Sequence, residues 1–526
     1  MDRVVCAVDV GTRSARAGLF SASGVLLGRA EHPILLHQPC YPHAEHESED
    51  IWRAVCAAVR AARAQAGVDS EAVVGIAFDA TCSLVVLDRE GHPLSVSATG
   101  EAGHDTVVWL DHRALAEADE CSATGDRVLD FSGGTISPEM AIAKLMWLKR
   151  HLPHVWARTG YLFDLADFLS WKASGSLARS QCTLTCKWTY LAHEAGGWQR
   201  GFLERIGLDD LIERGSLPES ASPVGASLGP LTEAAATDLG LTRNCSVAVG
   251  LIDAFAGALG VLGPHALTDR SNGHMALIAG TSSCVMSMSA EAKSVRGYWG
   301  PYFGVALPGF WVTEGGQSAT GALLDHVVRV HGAGGEPTPQ RHRAILERIA
   351  VLRAEQGEAF ACRLNVLPDF LGNRSPLADP AALGVISGLS LDPSFDALCA
   401  LYWRTCVAIA MGVRQIIEGF EASGAPVRTL HVTGGHTRNR LLMQLYADTT
   451  GCTIIEPQVD EGVLLGTAMA AACGAGVFAD LPAACLAMQR DTRTLEPDPA
   501  AVPHRARDYR IFLEMQRQRQ VLEAMA

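Results

Sequence analysis

The stretch Val4-Val5-Cys6-Ala7-Val8-Asp9-Val10-Gly11-Thr12-Arg13-Ser14-Ala15-Arg16 decides the fold. Residues 4–8 are a short apolar run and read as a strand. The turn from Gly11 to Ser14 follows, and residues 15–20 resume as a second strand. Ser21-Ala22-Ser23-Gly24 is another turn, leading into a third strand at 25–30, so the chain opens as a meander. Ser48-Glu49-Asp50 then precedes Ile51-Trp52 and the periodic positions Val55, Val59 and Ala62, which predicts a helix with an N-terminal cap at Ser48 and an acidic first turn. Residues 73–78 read as a strand running into Asp79-Ala80-Thr81-Cys82, residues 141–148 as a helix and residues 247–249 as a strand.

The opening pattern returns in the second half. Residues 274–279 are a short apolar run, Gly280-Thr281-Ser282-Ser283 is a turn of small residues, and 284–288 is a strand again. Both segments set Gly-Thr between the strands of a hairpin. This predicts two structurally similar domains, each giving one turn to a shared cleft. The boundary between units at 1–265 and 266–480 is expected near 263–269, where Gly263-Pro264-His265 breaks the pattern. Residues 332–339 read as a surface loop, and 481–526, rich in Arg, Pro and Glu, as a peripheral segment.

A phosphate cradle needs close backbone approach and several N–H groups aimed at one place. Gly11, Thr12 and Arg13 can form one, and Gly280, Thr281 and Ser282 a second, with Asp9 placed to hold Mg²⁺ through water. Taken singly, each reads as an ordinary β-turn; their recurrence favours function. No G-x-x-x-x-G-K-[ST] loop is present, which excludes a P-loop enzyme. Asp253 follows Val247-Ala248-Val249-Gly250-Leu251-Ile252 at a strand-to-helix junction. It can be a helix N-cap, or a carboxylate that takes a proton from an alcohol. Gly434-Gly435-His436, with Asn439 after it, is a strand–turn–helix start where a flat base or a phosphate can lie on the backbone; simple loop geometry is the alternative. Glu314-Gly315-Gly316-Gln317-Ser318 reads as a strand end opening a helix at Ser318, with Glu314 either a sugar ligand or a solvated loop residue. Lys187 alone reads as a surface lysine. Asp111-His112-Arg113 suggests a triad fragment, but no G-x-S-x-G elbow accompanies it.

The 526 residues exceed what one core holds, and two large domains follow. With 48% hydrophobic and 19% charged residues the chain can bury such cores. A formal net charge of −14 disfavours nucleic acid as a partner. The 15 cysteines form no C-x-x-C pair, so neither a zinc site nor a disulfide framework is expected, and free thiols suit a reducing cytoplasm. No signal peptide is expected from residues 1–8, and the Ala- and Gly-rich segment 463–479 is read as a buried helix rather than a membrane span.

Together these motifs, in this order and over residues 4–477, resemble the FGGY carbohydrate kinases, whose fold pairs two ribonuclease-H-like domains of the actin-like ATPase type around a central cleft. The resemblance implies an α/β enzyme using ATP and Mg²⁺, with Asp253 as catalytic base. It implies ATP contacts from Gly11, Thr12, Arg13, Gly280, Thr281, Ser282, Gln317, Gly434, Gly435 and Asn439, and a metal role for Asp9. Asp79-Ala80-Thr81-Cys82-Ser83-Leu84-Val85, Trp109-Leu110-Asp111-His112-Arg113 and the segment at Glu314 look like the ribulokinase branch, and D-ribulokinases above all. On that likeness Ala80, Thr81, Lys187, Asp253 and Glu314 line a sugar site, and the reaction is phosphorylation of the C5 hydroxyl of a pentulose, D-ribulose first. L-ribulose and ribitol remain alternatives, as does a non-catalytic ATPase of the same fold. A small sugar or polyol is the expected partner of a cytoplasmic homodimer, with no nucleic acid or membrane involved.

Overall fold

The computed structural model describes residues 3–268, 273–424, 426–457 and 461–525. Its centre is a pair of sheets built to one plan. In the first, Val4–Val10 pairs antiparallel with Ser14–Ser21, which pairs antiparallel with Leu26–Pro33. On its other side Val4–Val10 runs parallel to Val73–Ala80, and that strand runs parallel to Ser246–Ala248 and Leu251–Ile252. In the second sheet His274–Ala279 takes the place of Val4–Val10. It is antiparallel to Ser283–Ser289 and parallel to Thr429–Thr433, which is parallel in turn to Thr453–Pro457. The predicted repeat of the hairpin is therefore a repeat of the whole sheet, and both sheets are mixed with helices on their faces, an α/β architecture.

Every residue of Val4–Val10 is buried, because both faces of its sheet are covered. Val4, Cys6, Val8 and Val10 point into the layer with helix Ser48–Ala66, and Val5 and Ala7 into the opposite one with helix Gly462–Gly474. This second helix comes from the far end of the chain yet lies on the first sheet. Helix Asp253–Thr268, from the first half, packs in turn on strand His274–Ala279 of the second sheet. The two helices cross in contact through glycine: a Cβ on Gly260 would meet the Gly462 carbonyl oxygen at 2.1 Å, and one on Gly466 the Ala256 oxygen at 2.0 Å. Helix Phe395–Ala422 is long and apolar enough to cross a membrane by length and composition, and it forms the spine of the second core.

Three local expectations change. Gly263-Pro264-His265 does not break the chain: helix Asp253–Thr268 runs through it, because buried packing at Gly263 and Pro264 outweighs the cost of an interior proline. The expected boundary zone also reaches Asp269, outside the described residues. Ser48 is the first residue of helix Ser48–Ala66, and its hydroxyl donates to the buried Asp105 rather than capping the helix. The expected peripheral segment is woven in over its described residues, 481–525: Thr492–Leu495 extends the second sheet, and the closing helix Val502–Glu523 buries Arg505, Asp508, Tyr509, Phe512, Gln516 and Arg519.

Candidate active site

Both hairpin turns lie where the first strand of each sheet ends. Register aligns Val10 with Ala80, and Ala80 with Ile252, so the loop at 11–13, the end of Val73–Ala80 and Asp253 share one sheet edge. Ligands of open α/β sheets bind at such carboxyl ends. The Gly11 amide donates to the Ser14 carbonyl at 3.0 Å and the Gly280 amide to that of Ser282 at 2.8 Å. Each glycine amide thus closes its own turn and leaves phosphate contact to the residues between. The first turn is held from outside: Trp109 Nε1 donates to Thr12 Oγ1 at 2.9 Å and His46 to the Thr12 carbonyl at 3.0 Å. Arg13 is exposed. The second turn is braced by the start of helix Gly321–Val330, whose Gly321 amide donates to the Gly280 carbonyl at 3.0 Å.

Gly434 follows strand Thr429–Thr433, and its φ of 97° needs glycine. A Cβ there would meet the Ala279 oxygen at 2.5 Å, so this turn and the second hairpin sit together. Burial pushes the His436 imidazole down to about 4, and the Gly280 backbone hydrogen-bonds to it. Asn439 caps helix Arg440–Thr450 by accepting from the Leu442 amide at 3.1 Å, the structural role an asparagine takes at a helix start. Gln317 donates to the Ile409 carbonyl at 3.1 Å, while its own Oε1 is buried without a partner.

Three carboxylates meet at the first edge. Asp9 and Asp79 are register partners on parallel strands, and Asp253 opens the helix just beyond, its Oδ1 accepting from the Ala254 amide at 2.7 Å. All three are raised above the ordinary carboxylate range. Burial is the main cause in each, the neighbouring acids add to it for Asp79 and Asp253, and Asp253 reaches about 6. Arg16 pairs with Asp9 at 2.8 Å, and Thr467 donates to Asp79 across the two units. Asp9 Oδ1 and Asp79 Oδ1 are buried without a hydrogen-bond partner. Two orphaned hard oxygens side by side fit a Mg²⁺ ion, bound directly or through water. In the sequence Asp79 stood just past the strand at 73–78, in the segment that resembles ribulokinases, with no metal role; its register with Asp9 is what reveals one.

The rest of the site forms where the units meet. Lys187 is buried at the end of helix Gln181–Lys187, with Nζ 4.0 Å from the centre of the Trp299 ring. Burial opposes its charge, but Glu314 and other nearby acidic groups outweigh this and hold it protonated. Glu314 faces Trp299 across adjacent strands. The expected strand end at Glu314 is instead the middle of strand Trp311–Gln317, and its helix begins only at Gly321. Gly315 and Gly316 stay in the strand because a Cβ would strike Ile416 at 2.6 Å or Arg374 at 2.9 Å. Ala80 and Thr81 lie beside Asp253; the Thr81 amide donates to the Val10 carbonyl at 3.0 Å, and its hydroxyl is 3.2 Å from that of Ser83. Two further residues escaped the sequence reading: Arg374 pairs with Glu139 at 2.9 Å and with Glu314 at 3.5 Å. The suspected triad fragment is structural, Arg113 being buried between Asp111 at 2.7 Å and Glu45 at 2.8 Å.

Two sheets of one plan, each ending its first strand in a glycine turn, with charged side chains gathered where the units meet, make up the two-domain actin-like ATPase fold. Solved structures agree on the fold: a xylulose kinase from Rhodospirillum rubrum superposes with a TM-score of 0.76 over 99% of both chains at 23% identity. A gluconate kinase from Lactobacillus acidophilus gives 0.79 over 98% of both at 18%. Residues 4–260 match the N-terminal domain of the FGGY family of carbohydrate kinases, and residues 275–475 its C-terminal domain. An FGGY carbohydrate kinase domain-containing protein from Danio rerio is 44% identical over 98% of each chain. A D-ribulokinase from Saccharomyces cerevisiae is 38% identical over 90% of this chain and 72% of its own. The chain belongs to the FGGY family of carbohydrate kinases and is a sugar kinase.

Proposed function

We propose that the chain transfers the γ-phosphoryl group of ATP to the C5 hydroxyl of a pentulose, D-ribulose first, giving D-ribulose 5-phosphate and ADP. One observation carries this reading: Asp253, half-buried and raised to about 6, stands at the sheet edge beside the first turn and within the field of Glu314. Phosphoryl transfer asks the protein mainly for positioning and charge. Asp253 orients the hydroxyl and accepts its proton. Thr12 and Arg13 hold phosphate oxygens from one unit, Thr281 and Ser282 from the other, on turns that Gly11 and Gly280 close. Gln317, Gly434, Gly435 and Asn439 border the nucleoside. Lys187 and Glu314 bind sugar hydroxyls, with Ala80 and Thr81 setting the wall beside C5.

Mg²⁺, as sugar kinases of this family typically use it, neutralises phosphate charge when bound; Asp9 and Asp79 would hold it. The preference for D-ribulose is supported by the likeness to the yeast D-ribulokinase and by Asp79-Ala80-Thr81. Relatives named ribulokinase, such as that of Mycolicibacterium smegmatis at 30% identity, support a ribulose as substrate; L-ribulose is the second candidate. We further assign 1–265 to a sugar-binding unit with the first turn, 266–480 to a nucleotide-binding unit, and 481–526 to a segment closing the second unit, in a cytoplasmic enzyme. Phosphorus NMR of the product from D-ribulose and ATP tests the reading. A phosphate coupled to the C5 protons is expected; phosphate on another carbon would overturn the assigned geometry.

A further inference from the structure

Arg374 lies on the chain between strand Asn365–Leu367 and strand Val385–Ser387, in the second unit. Its side chain is 6% exposed. Nη2 donates to Glu139 Oε2 at 2.9 Å, and Glu139 belongs to the first unit, just before helix Ala141–His151. Nη1 is 3.5 Å from Glu314 Oε1 of its own unit. The guanidinium lies 4.7 Å from the centre of the Trp299 ring and 5.9 Å from that of Trp109, the indole that holds Thr12. Lys187 stands over the same Trp299 at 4.0 Å. Two cations thus stand over one indole whose register partner is Glu314, and the Arg374–Glu139 pair joins one unit to the other.

Separating the units exposes both members of this pair to water, whereas closing them buries a fork whose planar geometry suits a carboxylate. Resting on the sugar-kinase reading above, we propose that Arg374 is a positioning residue. It fixes Glu314 for the sugar and, through Glu139, makes assembly of the sugar site depend on closure of the two units. Closure of this kind keeps ATP from simple hydrolysis until a sugar is in place. Arg374 therefore governs the ratio of sugar phosphorylation to ATP hydrolysis.

The test compares wild type, Arg374→Gln, Arg374→Lys and Glu139→Gln in full-length protein. Sugar phosphate and ADP are measured separately, with tryptophan fluorescence following sugar binding. The expected result for Arg374→Gln is a loss of kcat/KM for the sugar on the order of 10–100-fold, as for a lost charged hydrogen bond. KM for ATP stays unchanged, and more ADP forms per sugar phosphated than in wild type. Arg374→Lys keeps the charge but loses the fork, and recovers only part of the coupling. Glu139→Gln leaves the guanidinium in place, raises the same ADP ratio, and serves where an Arg374 variant does not fold. A folded Arg374→Gln with the wild-type ratio and the wild-type sugar KM overturns the proposal. A wild-type enzyme that phosphorylates none of the sugars offered overturns the substrate reading instead, and the fluorescence titration then tests Arg374 without turnover: sugar binding unaltered by Arg374→Gln would refute its role.

Discussion

Replacing Asp253 by asparagine keeps the shape of the side chain and removes its basicity. Burial, aided by nearby Asp9, lifts this carboxyl to about 6, and a base must be ionised to accept a proton. For wild type, kcat/KM for the sugar should therefore rise with pH through about 6 and level off above it. One unit below the midpoint only about 10% of Asp253 is ionised, so kcat/KM falls roughly tenfold for each further unit. Asp253→Asn should lower kcat by ~10²–10⁴-fold and erase that acid limb, with ATP affinity kept. Stability should move the other way. A carboxyl whose value is raised on folding contributes stability that is present at low pH and lost as pH rises through the folded value. The asparagine variant, having no charge to bury, should be more stable than wild type above pH 6. Asp105 and Asp167 also titrate near 6, but they accept hydrogen bonds from Ser48, and from Ser180 and Thr183, and their titration persists in the variant. Coupled ADP assays over the acid and neutral range, with thermal melts alongside, make the comparison. Near-normal kcat in a folded Asp253→Asn, or an acid limb that survives in it, would refute the assignment.

Gly280→Val should weaken ATP binding while leaving the fold intact, because a Cβ at Gly280 meets nothing within 4 Å; calorimetric ATP affinity equal to wild type would remove this turn from the nucleotide site. Gly466→Ala drives a methyl into the Ala256 carbonyl and should cost about 1–3 kcal/mol in urea denaturation; an unchanged midpoint would mean the crossing helices separate freely. Lys187→Met should raise the sugar KM by ~10–100-fold with the ATP KM unchanged, since a buried charged donor over Trp299 is lost. Equal effects on both substrates would place Lys187 outside the sugar pocket.

The parts of the site carried by local sequence were legible. The two hairpin turns announce themselves by Gly-Thr between apolar runs, and Asp253 by its strand-to-helix junction. What pairing at a distance creates was not. Asp79 acquires its place from register with Asp9, 70 residues earlier in the chain. Arg374 and Glu139 meet across 235 residues, and neither sits in a pattern that local periodicity can flag. Gly315 and Gly316 read as a loop because glycine usually ends strands, yet here they stay in one to admit Tyr298 and Arg374. Proline at 264 misled for the same reason: burial decides there, and burial is not local.

In the proposed reaction this chain joins ATP consumption to a pentulose. The most direct measurement is ADP formation by the purified protein with Mg²⁺ and ATP, alone and with D-ribulose, L-ribulose, D-xylulose or ribitol. Little ADP without sugar and the highest kcat/KM with D-ribulose are expected. ADP formation that is the same with and without every sugar would contradict it.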